Sequence, residues 1–255
     1  MSSPPPMIEL AEVRKVFPGP AGPVVAVDEV SLEVGRAEVL CIIGTSGCGK
    51  TTTMKMINRL VEPTEGTIRI DGHDVREQDL TRLRRGIGYV VQRGGLFPHM
   101  SVARNIGLLC ELERWDEART GARVAELLEL VGLPPDEVGP RHPRALSGGQ
   151  QQRVSVARAL ALDPPIILMD EPFGALDPIT RTQLHAEFSD LRTRLGKTIV
   201  IVTHDLAEAF TLGDRVALMD RGRVVQVGTE VELREDPASS FVTEFLRAHL
   251  GAGHA

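Results

Sequence analysis

The chain has 255 residues, of which 42% are hydrophobic and 25% are charged, ordinary values for a soluble globular protein. Its formal net charge of −6 argues against a protein that binds nucleic acid by neutralising phosphates, so no nucleic-acid partner is expected. The three cysteines are an odd number without metal-ligand spacing, which argues against a disulfide framework or a zinc site and indicates a reducing cytoplasm.

The N-terminal part of the chain has the residue pattern of β-strands. Residues 7–13 and 24–34 alternate apolar and polar positions around a Pro/Gly turn, which predicts antiparallel strands. Short, continuous apolar runs follow, and helical patterns separate them. Such runs are typical of strands buried on both faces of a parallel sheet, so the sequence predicts an α/β fold. The predicted buried strands are 39–43, 87–91, 166–169, 199–202 and 216–219.

The predicted organisation is a single domain over residues 7–247. Its α/β core is predicted at about 7–92 and 155–225, with a helical subdomain inserted at about 93–154, where the pattern is helical without a strand. A short helical tail is predicted at 228–247. The sequence shows no signal-peptide pattern and no apolar run of the roughly 20 residues that span a bilayer. Any membrane role is therefore expected to be exercised through a partner.

Residues 44–51 match the pattern G-x-x-x-x-G-K-[ST], directly after a predicted strand and before a helical stretch. Glycines let the backbone wrap closely around phosphates, so that successive N–H groups and the helix N-terminus face the anion. Lys50 is expected to reach the outer phosphates of ATP, and the Thr51 hydroxyl to bind Mg²⁺. Cys48 is expected to be a small filler residue. The predicted nucleotide-binding residues of this loop are Gly44, Thr45, Ser46, Gly47, Cys48, Gly49, Lys50, Thr51 and Thr52.

Two carboxylates, Asp170 and Glu171, follow the predicted buried strand 166–169. Ligands of α/β sheets bind at the carboxyl ends of the strands, so both acids are expected near the phosphate-binding loop. Asp170 is the expected Mg²⁺ partner, through water, because Mg²⁺ usually keeps several of its waters. Glu171 is expected to polarise the water that attacks the γ-phosphate.

A second glycine pair lies in the stretch L-S-G-G-Q-Q-Q-R, residues 146–153, before a helical run. A helix N-terminus at this place offers free N–H groups and is a second site for an anion. Since one phosphate-binding loop is already present, this second site is expected to serve the ATP of a second chain. The predicted contacts are Ser147, Gly148, Gly149 and Gln150.

These motifs and their order resemble the ATP-binding cassette (ABC) transporter ATPases over nearly the whole chain. The resemblance implies that Phe17 stacks on adenine, that Gln92 is the Q-loop glutamine, and that His204 contacts the γ-phosphate. It implies that residues 174–177 form the D-loop, in which Asp177 contributes to the nucleotide site. The implied metal ligands are Thr51, Gln92 and Asp170, and the implied catalytic residues are Glu171, His204 and Gln92.

The resemblance also implies partners. Two copies, or a copy and a second cassette, would close head to tail around two ATP, which completes the hydrolytic geometry. The closing pair would drive transmembrane permease subunits, indirectly served by an extracytoplasmic substrate-binding protein, from the inner face of the cell membrane. Residues 93–104 lie where the family receives its membrane subunit, and Leu96, Phe97 and Pro98 are expected to form an apolar surface cluster there. Local core packing is the alternative for that cluster.

The segment 163–181 resembles the ATPases that import osmoprotectants, which are quaternary amines such as glycine betaine, choline or carnitine. Segments 94–99 and 212–219 agree with that subgroup. Phe17 stands where tyrosine is more usual, and Gly174 stands where many relatives carry serine. Many members of the subgroup continue into CBS domains after the cassette, and no such domains are expected within these 255 residues.

Three alternatives stay open at the level of sequence. One is an importer ATPase for another solute, such as an amino acid or a sulfonate. Another is an ABC ATPase of DNA repair or translation, although such proteins usually bring a coiled-coil insertion or a second cassette. A third is a non-hydrolysing cassette, against which the presence of both Glu171 and His204 argues.

Overall fold

The computed structural model describes residues 5–20, 22–92, 95–174 and 176–250, except for the side chain of Leu250. The strands are β1 (Ile8–Phe17), β2 (Val24–Val34), β3 (Val39–Gly44), β4 (Glu65–Ile70), β5 (His73–Asp74), β6 (Ile87–Val90), β7 (Ile166–Asp170), β8 (Thr198–Val202), β9 (Arg215–Asp220) and β10 (Arg223–Gly228). The helices are α1 (Lys50–Ile57), α2 (Leu80–Arg85), α3 (Val102–Leu112), α4 (Glu117–Leu130), α5 (Pro135–Val138), α6 (Gly148–Ala159), α7 (Pro178–Leu195), α8 (Leu206–Leu212), α9 (Glu230–Glu235) and α10 (Ser240–Leu250). A short 3₁₀ helix covers Pro143–Ala145.

The chain divides into two compact units. The first combines residues 1–84 with 198–255, and the second comprises residues 85–197.

The first unit contains an antiparallel sheet and a mainly parallel group of strands. The antiparallel sheet has the order β2-β1-β4-β5, and Ile8 at its centre is paired with Val34 on one side and Ile70 on the other. The second group has the order β10-β9-β3-β8, in which β3 runs parallel to both β8 and β9. Every residue of β3 and β8 is buried, as their unbroken apolar runs predict.

The second unit contains a parallel pair of strands and a group of helices. Val90 of β6 is paired with Met169 of β7, and all residues of β7 are buried. Helices α3, α4 and α6 pack through apolar faces whose fully buried side chains include Ile106, Leu127 and Leu128. The predicted α/β fold, with an N-terminal antiparallel subdomain and an inserted helical part, is confirmed. The predicted subdomain limits at residues 92 and 154 stay a prediction.

Most predicted strands lie at their expected places, whereas half-exposed strands were missed. The predicted runs 39–43, 166–169, 199–202 and 216–219 all lie inside strands, and the run at 87–91 ends as a strand at Val90. The strands β4 and β10 have mainly half-exposed residues, so they lack the continuous apolar run that marks a buried strand.

Candidate active site

The phosphate-binding loop begins where β3 ends, and two of its glycines are required by close backbone approaches. Gly44 has a φ of 150°, and a Cβ atom there would lie 2.0 Å from the carbonyl oxygen of Met219 on β9. Gly49 has a φ of 101°, and its Cβ atom would lie 2.3 Å from the carbonyl oxygen of Ala26 on β2. Any side chain at either position would displace backbone, so the sequence must have glycine for this loop to form.

The Lys50 amine lies inside the loop. Its Nζ donates hydrogen bonds of 2.9 Å to the carbonyl oxygens of Gly44 and Thr45. Lys50 is buried and begins α1, whose first intrahelical bond runs from the Thr53 N–H to the Gly49 carbonyl at 2.8 Å. The N–H groups of the residues before Thr53 make no bond within the helix. They lie at the loop together with the positively charged Lys50 amine. This is the arrangement that binds an oligophosphate.

Two other loop residues are held by hydrogen bonds to the strand pair β9–β10. The Thr45 hydroxyl hydrogen-bonds Asp220 at 3.3 Å, and the Gly222 N–H donates to the Cys48 carbonyl at 3.1 Å. Thr45 and Ser46 are exposed, whereas the Cys48 side chain is buried with its Sγ 3.8 Å from the Lys50 amine. Asp220 and Gly222 are supporting residues that the sequence did not reveal, because they lie far away along the chain.

His204 emerges at the same edge of the sheet as the loop. Ile42 of β3 is paired with Val202 of β8, so Gly44 and His204 each follow two residues after that pair. His204 is exposed and lies in a tight turn before α8. The Thr203 hydroxyl accepts a hydrogen bond of 3.0 Å from the N–H of Asp205, whose carboxylate caps α8. The imidazole is thus presented from a rigid turn beside the phosphate-binding loop.

Phe17 ends β1 and is 37% exposed, opposite the still more exposed Val24 of β2. The Lys15 amine lies 4.9 Å from the centre of the ring. A partly exposed aromatic ring can stack on a base.

In the second unit, Gln92 and Glu171 meet at the carboxyl ends of β6 and β7. The Nε2 atom of Gln92 donates a hydrogen bond of 2.5 Å to Oε2 of Glu171. Glu171 has a φ of 44°, a left-handed conformation that is uncommon for a residue with a side chain. Asp170, one residue earlier, is buried at the end of β7. Burial, reinforced by the charge of Asp170, raises the pKa of the nearby Tyr89 phenol to about 12.

Ser147 begins α6 through a capping box. Its Oγ accepts a hydrogen bond of 3.2 Å from the Gln150 N–H, and Gln150 Oε1 accepts one of 3.0 Å from the Ser147 N–H. Gly149 is buried, and a Cβ atom there would lie 3.0 Å from the methyl group of Thr180 on α7. Ser147 and Gly148 are exposed, so the start of α6 offers its N–H groups at the surface of the unit.

Asp177 caps α7. Its carboxylate accepts a hydrogen bond of 3.0 Å from the Thr180 N–H, and the hydrogen bonds from the Thr180 side chain and N–H lower its pKa. The sequence suggested only a contribution to the nucleotide site, and the capping role was missed. Ala175, within the predicted D-loop, lies outside the described residues.

The model of the family described as ABC transporter matches residues 27–174. This chain belongs to the ABC transporter family. It is 53% identical over 240 residues to the glycine betaine/carnitine/choline transport ATP-binding protein OpuCA of Bacillus subtilis (strain 168), covering 94% of this chain and 62% of that protein. It is 49% identical over 246 residues to the glycine betaine uptake system ATP-binding protein YehX of Escherichia coli (strain K12), covering 96% of this chain and 78% of that protein. The chain therefore spans less than two thirds of the length of the Bacillus subtilis relative.

Among solved structures, it resembles the dimeric structure of a post-hydrolysis state of the ATP-binding cassette MJ0796 bound to ADP and Pi. The TM-score is 0.79 at 35% sequence identity, and the match covers 88% of this chain and 98% of that chain.

The predicted site residues of this ABC family member fall into two groups. The phosphate-binding loop, Phe17 and His204 belong to the first unit, whereas Gln92, Asp170, Glu171, the start of α6 and Asp177 belong to the second. Within the second unit the structure brings Gln92 to Glu171, a pairing that the motifs alone did not indicate.

The expected surface cluster after the Q-loop is wrong for Leu96. Leu96 is buried, whereas Phe97 is 41% exposed and Pro98 is also exposed. Buried Asn105 explains the difference, because its side chain accepts from the Phe97 N–H at 2.7 Å and donates to the Phe97 carbonyl at 3.1 Å. These two bonds fix the backbone so that neighbouring side chains point to opposite sides. Arg93 and Gly94, of the same predicted region, lie outside the described residues.

A cavity of about 350 Å³ lies beside this segment in the second unit. Its wall includes Gln92, Leu96, Pro98 and Gln151, so it reaches from the predicted Q-loop glutamine to the first turn of α6. Among the described residues, no helix is long and apolar enough to span a membrane.

Proposed function

We propose that this chain is the ATP-binding and ATP-hydrolysing subunit of an ABC importer for a quaternary-amine osmoprotectant, such as glycine betaine, choline or carnitine. The observation that carries the ATPase assignment is the buried Lys50 amine inside a glycine-built loop at a helix N-terminus. The solute assignment is supported by the two relatives, which are named for transport of glycine betaine, carnitine or choline.

ATP would be bound by the first unit. The N–H groups of residues 45–52 and the Lys50 amine would hold its phosphates, and the partly exposed ring of Phe17 would stack on the adenine. The Lys50 amine would exchange its bonds to Gly44 and Thr45 for phosphate oxygens. That exchange has a low electrostatic cost because a charged acceptor replaces neutral carbonyls.

The chemistry of the available donors fits Mg²⁺. The hydroxyl of Thr51, the carboxylate of Asp170 and the amide oxygen of Gln92 are hard oxygen ligands, which Mg²⁺ prefers. An ionised carboxylate can only accept hydrogen bonds, so the contact of Gln92 with Glu171 uses the amide nitrogen and leaves the amide oxygen for a cation. When bound, Mg²⁺ would neutralise phosphate charge. Among the described residues, no cluster of three or more His, Cys, Asp or Glu could hold a metal ion.

Hydrolysis would then be an in-line attack by water. Glu171 would accept a proton from the water while the water oxygen forms a bond to the γ-phosphorus. The bond to the β–γ bridging oxygen breaks, and ADP and phosphate leave. His204 would donate to the γ-phosphate from its capped turn, which stabilises the charge as it develops.

We place the second anion site at the start of α6 on the ATP of another copy. Ser147 and Gly148 are exposed, and the structurally similar cassette is described as dimeric in its bound state. Two copies would therefore sandwich two ATP, and each would complete the site of the other.

The membrane partner would dock beside the Q-loop. The exposed Phe97 ring and the neighbouring cavity of about 350 Å³ offer an apolar anchor point that reaches Gln92. This arrangement would connect nucleotide state to permease subunits and, through them, to an extracytoplasmic substrate-binding protein. The chain would thus act in the cytoplasm, peripherally on the inner face of the membrane.

Two measurements test the proposal. Phosphate release from Mg·ATP by the purified chain should rise more than proportionally with protein concentration, because two copies form the active species. For the solute, the chain should be reconstituted with a permease and a substrate-binding protein from an osmoprotectant importer. ATP turnover should then be stimulated by glycine betaine, choline or carnitine, and not by sulfonates or amino acids. Stimulation by one of the latter would replace the solute assignment and leave the ATPase assignment standing.

A further inference from the structure

Arg153 joins three helices of the second unit. It lies on α6, and its Nη1 donates a hydrogen bond of 3.1 Å to the carbonyl of Val131 at the end of α4. Its Nη2 lies 2.6 Å from each carboxylate oxygen of Glu187 on α7. The Arg153 side chain is only 21% exposed, so solvent screens the pair incompletely. An arginine fork that binds a carboxylate and a helix C-terminal carbonyl together fixes geometry in a way that a lysine cannot.

A cavity lies beside this ion pair, between the same three helices. The cavity has a volume of about 360 Å³ and is lined by α4, α6 and α7, with Val156, Phe173 and Leu184 among its apolar walls. The cavity is a recess between the three helices that is partly open to solvent, so water can reach the ion pair from one side. Arg153 and Glu187 line the same cavity, and their ion pair links α6 to α7 beside it.

The N-terminal ends of α6 and α7 form a second contact between the same helices. Ser147 caps α6 and Asp177 caps α7, while Gly149 lies against Thr180. Contacts at two levels, one at the helix starts and one at Arg153–Glu187, prevent α6 from pivoting on α7. The loops that begin the two helices are therefore held at a fixed spacing.

We propose that Arg153 is a positioning residue for ATP hydrolysis, which with Glu187 holds Ser147 and Asp177 at a fixed spacing for the partner copy's ATP. This inference rests on the proposed function, because it requires Ser147 to act on the ATP of a second copy. Arg153 itself would contact neither the nucleotide nor the attacking water.

The test compares Arg153→Ala with Arg123→Ala as a matched control. Arg123 also donates to helix-end carbonyls, at 2.9 Å to Leu160 and 3.2 Å to Ala161, and pairs with Glu126, but it does not bridge α6 to α7. Both variants should lower the thermal midpoint. Arg153→Ala should keep the affinity for a fluorescent ATP analogue while kcat falls about tenfold, the equivalent of one lost charge-assisted hydrogen bond. Arg123→Ala should keep kcat within about twofold of wild type.

A charge reversal separates positioning from direct contact. The double variant Arg153→Glu with Glu187→Arg rebuilds the bridge between α6 and α7 and should recover kcat relative to either single change. A direct contact of Arg153 with nucleotide would instead raise KM for ATP, and the reversal would not restore it. That result, or wild-type kcat in Arg153→Ala, would overturn the inference.

Two further results keep the test decisive. Should Arg153→Ala fail to fold, Arg153→Lys and Glu187→Gln take its place, with a smaller loss of kcat expected for each. Absence of ATP hydrolysis by the wild-type chain at every concentration would reject the proposed function. Wild-type hydrolysis with an unaffected Arg153→Ala would reject the positioning role alone.

Discussion

The side-chain amide of Gln92 donates a hydrogen bond to the carboxylate of Glu171 across the carboxyl ends of two parallel strands. The strand register sets this pairing, because each residue follows two positions after the paired residues Val90 and Met169. A carboxylate has about four acceptor positions, so Glu171 can hold the amide and a water together. The amide therefore orients the proposed catalytic carboxylate and still leaves it acceptor positions for a water. It also links that carboxylate to the segment proposed to receive the membrane partner.

Replacing Glu171 by Gln should reduce ATP turnover by about 100-fold or more, since a neutral amide cannot act as a general base. Nucleotide affinity should remain, because the phosphate-binding loop is unchanged. The variant should accumulate as an ATP-bound dimer, which size-exclusion chromatography with and without ATP would detect. Glu111→Gln, at an exposed position on α3, is the control and should turn over normally. Near wild-type turnover in Glu171→Gln would remove Glu171 from its proposed role.

Replacing Lys50 by Ala should weaken ATP binding by about tenfold or more, the usual range for lost hydrogen bonds to a charged group. Lys55→Ala is the matched control, because Lys55 lies in the last turn of the same helix. Equilibrium titration with a fluorescent ATP analogue would measure both variants. Equal affinities for the two would contradict the assignment of the loop.

The loop, the buried strands and the helical part of the fold could be predicted because each is encoded in a short stretch of sequence. The long-range contacts that hold the phosphate-binding loop in place could not be predicted. Asp220 contacts Thr45 across 175 positions of sequence, and the carbonyl of Met219 that requires Gly44 to be glycine is equally remote. Such contacts follow from strand order, and no local pattern reports that β9 lies beside β3.

Two other differences between the sequence-based predictions and the structure have local causes. Ser147 and Asp177 were interpreted only through their expected ligands, although S-x-x-Q at 147–150 is the pattern of a capping box. Leu96 was expected in an apolar surface cluster with Phe97 and Pro98, whereas the side chain of Asn105 fixes the backbone at Phe97 and Leu96 is buried. Polar side chains that bind their own backbone are easily mistaken for binding residues, or overlooked, when only residue types are considered.

The cap at Asp177 predicts a pH-dependent contribution to stability. Hydrogen bonds from Thr180 lower the folded-state pKa of Asp177, so its stabilising effect is present above the unfolded pKa and is lost as pH falls through the folded pKa. Asp177→Ala should therefore unfold at a lower temperature than wild type at pH 7. The difference should shrink once the pH falls below about 4, the ordinary pKa of aspartate. Thermal unfolding of both proteins across that range would reveal a constant difference if the carboxylate charge played no part.

Gly121 offers a stabilising substitution away from the site. It is exposed within α4, has no positive φ, and an added Cβ atom would meet nothing within 4 Å. Gly121→Ala should raise the free energy of unfolding by about 0.5–1 kcal/mol, because alanine restricts the unfolded chain and favours the helix. Urea denaturation would measure the change. Gly49→Ala is the contrasting variant, and it should destabilise strongly since its Cβ atom would lie 2.3 Å from the Ala26 carbonyl.

Replacing Ser147 by Arg tests whether the site is shared between two chains. Ser147 lies in the second unit at the exposed start of α6, so a bulky side chain there should leave ATP binding by the first unit intact. It should abolish turnover, because it would block contact with the ATP of another copy. Loss of the cap alone costs about 1 kcal/mol of stability, so the control must lose a cap as well. Thr229→Arg removes the capping box of α9 and should retain turnover. Hydrolysis at the wild-type rate by Ser147→Arg would show that each copy of the chain works alone.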